Sequence, residues 1–127
     1  MPTAEQHQAK CAANRTFLTA FSHDSHPDWA AVAAFYTAVH AVERLRETEQ
    51  QQHSRNHHDR KKYIQKKHPQ ILSQYNTLLD ISLYARYDSI SAFLEKVGLV
   101  DITNILIGQH LVDVESYINN QITTDLA

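Results

Sequence analysis

Residues 26–45 read HPDWAAVAAFYTAVHAVERL, and the pattern of this stretch decides the fold. Wound as an α-helix at about 100° per residue, it has two different apolar sides. Val32, Phe35, Tyr36, Val39, Val42 and Glu43 share one arc, with Trp29 and His40 at its edge. Ala30, Ala31, Ala34, Ala38, Ala41 and Leu45 make a stripe of small residues on the opposite side. A helix apolar on both sides is normally covered on both sides. The expectation is the central helix of a bundle, opened by Pro27, which a helix start tolerates, and running to about Glu49. Glu43, and less centrally His40, are ionisable groups placed in the bulky arc.

Upstream, a helix is expected from Thr3, whose spacing to Gln6 fits a capping box. Cys11, Asn14, Phe17, Leu18 and Phe21 repeat at helical spacing as its buried stripe, and Cys11 reads there as a small core residue. The segment Ser22–Asp28 interrupts the pattern. Downstream, Gln50–Asn56 is polar and reads as a loop, followed by a short polar helix from about His57 to Lys67 anchored by Tyr63 and Ile64. Pro69 ends that helix and opens another to Tyr87, with Ile71, Tyr75, Leu78, Leu79 and Ser82 on its apolar arc. Arg86 falls within the same arc, so it needs a partner or must reach past the core.

A turn or short helix over Ser91–Lys96 leads through Gly98 to a last helix, about Val100 to Ile122. Ile102, Ile105, Leu106, Val112 and Tyr117 share one side; Val100, Ile107, Leu111, Val114, Ile118 and Ile122 share the other. A terminal helix in a small domain needs one buried face, which makes the second face a candidate dimer interface, unless neighbouring helices wrap it.

With two Gly, three Pro and 43% hydrophobic residues in 127, the chain reads as one all-α domain over residues 1–127, a compact up-and-down bundle of four to five helices. The net charge of −2 is unevenly spread. From His53 to His68 six basic residues face one acid, Asp59, so this stretch carries +5 and the remainder −7. The lone Cys11 allows no intramolecular disulfide, and no apolar run approaches the ~20 residues of a membrane span. A cytoplasmic chain with no membrane association is expected.

Three groups of residues could carry chemistry. Tyr36, His40 and Glu43, spaced i, i+4, i+7, lie on one helix face, and Arg86 could pair with Glu43 inside the bundle. That cluster is either a structural ion pair that fixes how two helices dock, or a site where Arg86 binds phosphate and His40 or Glu43 moves protons. The basic stretch SRNHHDRKKYIQKK (residues 54–67) is either a solvated face or a phosphate-tracking patch of Arg55, Lys61, Lys62, Lys66 and Lys67. Within it His57 and Arg60 could act as proton-transfer group and phosphate clamp. The nine His form no HExxH motif, and His40 with Glu43 is only half of a bundle-type carboxylate–His site, so neither metal nor cofactor is expected. No Gly-rich phosphate loop or nucleophile elbow is present.

The runs FYTAVHAVERL at 35–45, NHHDR at 56–60 and YNTLLDISLYARY at 75–87 resemble a HEPN (higher eukaryotes and prokaryotes nucleotide-binding) domain. The resemblance covers about residues 10–122. Tyr36, His40 and Glu43 match the aromatic–His–Glu helix of one subgroup. Asn56, His57 and Arg60 match its Ser-His-x-x-Arg element, with Asn for Ser, and Tyr75, Arg86 and Tyr87 match its Tyr-to-Ala-Arg-Tyr helix. Ribonuclease members carry an Arg followed, after four to six residues, by a His. Arg46 and His53 have that spacing, which six Arg and nine His produce about once by accident.

The resemblance implies a homodimeric helical bundle that binds RNA or nucleotide phosphate, in a toxin–antitoxin or phage-defence setting, with a nucleotidyltransferase-type antitoxin as partner. It further implies a metal-independent ribonuclease using His57, Arg60, His40, Glu43 and Arg86. The alternative is a catalytically inactive HEPN-like module that dimerises and binds protein.

Overall fold

The computed structural model describes residues 3–20, 26–87, 93 and 101–126. All regular structure among them is helical: α1 (Ala4–Ala20), α2 (Pro27–Gln50), α3 (His57–Lys67), a 3-10 turn (Pro69–Ile71), α4 (Leu72–Tyr87), and a last rod with a π-wound part, Asp101–Leu111, that continues into α5 (Val112–Leu126). The chain folds as an all-α bundle of five helices, and none of the described helices is long and apolar enough to cross a membrane.

The central role read for α2 holds. It packs against α1, α4 and both parts of the last rod. Its small-residue stripe (Ala30, Ala31, Ala34, Ala38, Ala41 and Leu45) and the Phe35, Val39 and Val42 of its bulky arc are buried. Toward α4, Phe35 packs on Tyr75 with ring centroids 5.7 Å apart, and Leu78 is buried in the same core.

The helix ends follow local chemistry. At α1 the Thr3 N–H donates to Gln6 Oε1 (2.8 Å) and the Gln6 N–H donates to Thr3 Oγ1 (3.1 Å), a complete capping box. Asn56 caps α3, its side-chain oxygen accepting the Asp59 N–H at 2.8 Å. Ser and Asn fill this role equally well, which gives a physical reason for Asn where the resembling element has Ser. Helix α2 ends with Gln51 in the left-handed region at φ 53°. Pro69 opens the 3-10 turn, and α4 itself begins only at Leu72.

Two expectations change. The stripe of α1 includes Cys11 and Leu18 but leaves Phe17 44% exposed, and it gains a buried His7, one turn before Cys11. Phe21, Ser22–Ser25 and all of Ser91–Lys96 except the buried Phe93 lie outside the described residues.

The last rod does not have two apolar faces. Its first half is π-wound, wider than the 3.6 residues per turn of an α-helix, and Ile102, Leu106, Ile107 and Leu111 are all buried along it. The stripe then continues at ordinary α spacing through Val114, Ile118 and Ile122, all buried within this one chain. Ile105 and Val112 face out. The face offered as a dimer interface is therefore filled by the chain's own core, and what looked like two stripes was one stripe read at the wrong period.

Candidate functional site

Helix α3 is tied to α2 through long side chains. Glu43, 1% exposed, points from α2 toward α3 and the preceding loop. Its Oε1 accepts from Arg60 Nε at 2.9 Å, and its Oε2 accepts the Ser54 N–H at 3.0 Å. Burial alone would raise the Glu43 carboxyl, but the hydrogen bonds from Ser54 and the Arg60 charge outweigh it and hold the pKa below the usual carboxylate range. Arg60 is buried too, and its Nη1 donates to His57 Nδ1 (2.7 Å) and to Tyr75 Oη (3.4 Å).

The expected ion pair between Glu43 and Arg86 is not formed; Arg60 takes the carboxylate. Arg86 instead donates from Nη1 to Tyr36 Oη (3.2 Å) and from Nε to the Ser82 carbonyl (3.3 Å). Tyr36 and Glu43 lie on one face of α2, but seven residues of helix separate them by about 10 Å along the axis. Helix α3 brings Arg60 to Glu43, and α4 brings Arg86 to Tyr36. Arg86 still belongs to the same constellation. Burial first, then the charges of Arg60 and Arg86, lower the pKa of His57. The His57 ring packs on Phe35, with centroids 5.4 Å apart, and Phe35 also packs on Tyr75.

His40 turns away from Glu43 toward α1, where its Nδ1 lies 3.0 Å from His7 Nδ1. One proton sits between the two rings, so the pair cannot be doubly charged without breaking the contact. Burial is the main cause lowering both pKa values. For His7 the His53 charge adds to it, and for His40 the charges of His7 and Lys10. His53 stacks on His7 at 4.8 Å and reaches to 4.0 Å from Glu43 Oε2. His7 was not singled out in the sequence. Its spacing of four residues before Cys11, on the stripe of Leu18, was the available signal.

The basic residues divide. Arg55, Lys61, Lys62, Lys66 and Lys67 are all exposed. Lys62, Lys66 and Lys67 border a surface cavity of about 350 Å³ with Arg46 and Asp59; Arg55 and His53 border its neighbour of about 310 Å³, which also contains Arg46. Lys61 lies one turn along α3 from His57, on the other edge. Arg46 and His53 thus share a cavity, but Arg46 is occupied by Ser54 Oγ (3.0 Å), Asp59 (3.4 Å) and the Tyr63 ring.

Chemically, the arrangement holds two hydrogen-bonded groups, Glu43, His57 and Tyr75 around Arg60 and Tyr36 with Ser82 around Arg86, while His40 pairs with His7. Among the described residues no group of three or more His, Cys, Asp or Glu could hold a metal ion. Comparison with family models, with curated proteins and with solved structures gives no match for this chain.

Proposed function

We propose that this chain binds the phosphate of RNA or of a nucleotide at the edge formed by His57 and Arg86, without cleaving it. The observation that carries the reading is the state of Arg86. It is fixed by two neutral oxygens, Tyr36 Oη at 3.2 Å and the Ser82 carbonyl at 3.3 Å. A guanidinium fixed in this way is suited to phosphate. The exposed Lys61 one turn from His57 supplies further positive charge at the rim.

Binding is favoured over cleavage by the orientation of His57. Arg60 carries only donors, so its bond to Nδ1 requires that nitrogen to be bare, and the neutral ring then carries its proton on Nε2. Such a ring donates a hydrogen bond to a phosphate oxygen. It cannot accept the proton of a ribose 2′-OH, which metal-independent cleavage requires. The tautomer supports reading the chain as a HEPN-like module that binds without cleaving, and the same reading includes a homodimer and a nucleotidyltransferase-type partner.

The test is a titration of single-stranded RNA at several salt concentrations, with product analysis in EDTA. Binding should weaken linearly in log–log form, and Arg86→Ala should lower the slope by about 0.7, one phosphate contact. Cleavage that survives EDTA and vanishes in His57→Ala would replace this reading with the ribonuclease.

A further inference from the structure

Among the described side chains of α1, the buried ones are His7, Cys11 and Leu18. Ahead of Cys11 there is His7 alone, 2% exposed, so the first turns of α1 dock on the bundle through an imidazole and not through an apolar side chain. Farther along, Arg15 Nη2 donates to Glu115 Oε1 at 2.6 Å and anchors the C-terminal half. A segment with so little buried apolar surface opens at a lower free energy than the core.

His7 meets α2 at His40, Nδ1 to Nδ1 at 3.0 Å, and its ring stacks on His53 with centroids 4.8 Å apart. The other nitrogen of His7, Nε2, is buried without a hydrogen-bond partner among the described residues. A bare nitrogen tolerates such a place better than an N–H does. His7 therefore carries its proton on Nδ1 and donates it to a bare Nδ1 of His40. A further proton then has two places to go, and both break the docking. On His40 Nδ1 it sets two N–H groups against each other; on His7 Nε2 it buries a charged donor without an acceptor.

The groups that face the pair come from every element around it: Lys10 of α1, Glu43 and Glu47 of α2, His53 of the following loop and Arg60 of α3. The cations oppose a new positive charge and the two carboxylates favour it, but Glu43 is already committed to Arg60 and Ser54. Burial is the largest influence on both rings and lowers their pKa values, so the contact is whole at neutral pH and weakens as the pH falls below the ordinary histidine range.

We infer that His7 and His40 form an acid-released latch, through which uptake of one proton frees the N-terminal half of α1 while α2, α3 and α4 stay packed. Release withdraws His7 from the His53 stack. It thereby opens one face of His53, whose Nε2 lies 4.0 Å from the buried Glu43 carboxylate. Acid would thus regulate access to the Glu43 side of the bundle without unfolding it.

The experiment is native-state hydrogen exchange of the full chain at pH 7 and pH 5, corrected for the intrinsic pH dependence of exchange, with imidazole NMR in parallel. Relative to α4, the amides of residues 8–12 should lose about tenfold or more of their protection at pH 5. The His7 and His40 rings should titrate over the same interval. His7→Gln offers His40 a donor or an acceptor as required and does not titrate, so it should keep residues 8–12 protected at pH 5. His7→Phe, which docks the turn through an apolar ring, should do the same and carries the test if the Gln variant does not fold. Unchanged protection of residues 8–12 in the intact chain overturns the latch. An equal loss in every helix also overturns it, leaving general acid destabilisation. Release that persists in the variants, or that occurs while both rings stay neutral, assigns the effect to other groups and overturns it as well.

Discussion

Arg60 Nη1 approaches His57 Nδ1 to 2.7 Å, and because a guanidinium only donates, the imidazole is held with its other nitrogen, Nε2, protonated. Nitrogen-detected NMR of the imidazole at neutral pH should show the Nε2–H tautomer. Arg60→Ala should release it toward a tautomer mixture and raise the His57 pKa, since a neighbouring charge that lowers it is gone. A ring found with its proton on Nδ1 in the intact protein would invert the argument against proton abstraction.

The Glu43–Arg60 pair is buried on both sides, with side-chain exposures of 1% and 8%. Removing one partner strands the other, so Glu43→Ala should cost about 3–5 kcal/mol in urea unfolding. The double replacement Glu43→Leu with Arg60→Met should recover much of that loss. Additive losses in the double mutant would show that the two groups do not act as a pair.

Acid should destabilise the fold in the range where histidines titrate. His7, His40 and His57 all have pKa values lowered from about 6.5, by burial first and by neighbouring cations second. The unfolded chain thus takes up protons that the folded chain resists, so the stability they provide is whole above pH 6.5 and drains as pH falls toward the folded values. Glu43, whose pKa is lowered, keeps its contribution until the pH drops below the ordinary glutamate range. Chemical denaturation at pH 7 and pH 5 should show the loss, and His7→Phe should flatten it. The charged groups facing this cluster, Lys10, Glu43, Glu47, His53 and Arg60, remain in that variant.

Gln51 closes α2 in the left-handed conformation, where its Cβ is crowded. Gln51→Gly should stabilise the fold by about 1 kcal/mol, a rise of about 3–5 °C in Tm. An unchanged or lower Tm would mean that this end of α2 adopts another conformation in solution.

Cys11 is buried and lies 3.7 Å from Glu115 Oε2. Burial, reinforced by that carboxylate, pushes its thiol up to about 11. Native protein at pH 8 should therefore react with a thiol reagent far more slowly than the urea-unfolded chain, by two orders of magnitude or more.

Helix positions were legible because they follow from local pattern. The apolar repeats of α2, the capping box at Thr3 and the cap at Asn56 all act within one or two turns. Of the residues read as candidates, Glu43, His57 and Tyr75 meet around Arg60, Tyr36 meets Arg86, and His40 meets His7. Their pairing was not. Glu43 could reach Arg60 or Arg86, and the choice depends on the level at which each helix crosses α2. The last rod was misread because a period of 3.6 was assumed where the backbone is wound more widely.

What the sequence determined by itself was the all-α class, the centrality of α2 and the inward placement of Glu43, since hydrophobic periodicity and capping are properties of neighbours along the chain. Only the tertiary structure decided that Arg60 neutralises Glu43, that Arg86 is left to Tyr36, and that His40 meets His7. The offset between packed helices is set by how their side chains interlock, and no spacing within a single helix encodes it.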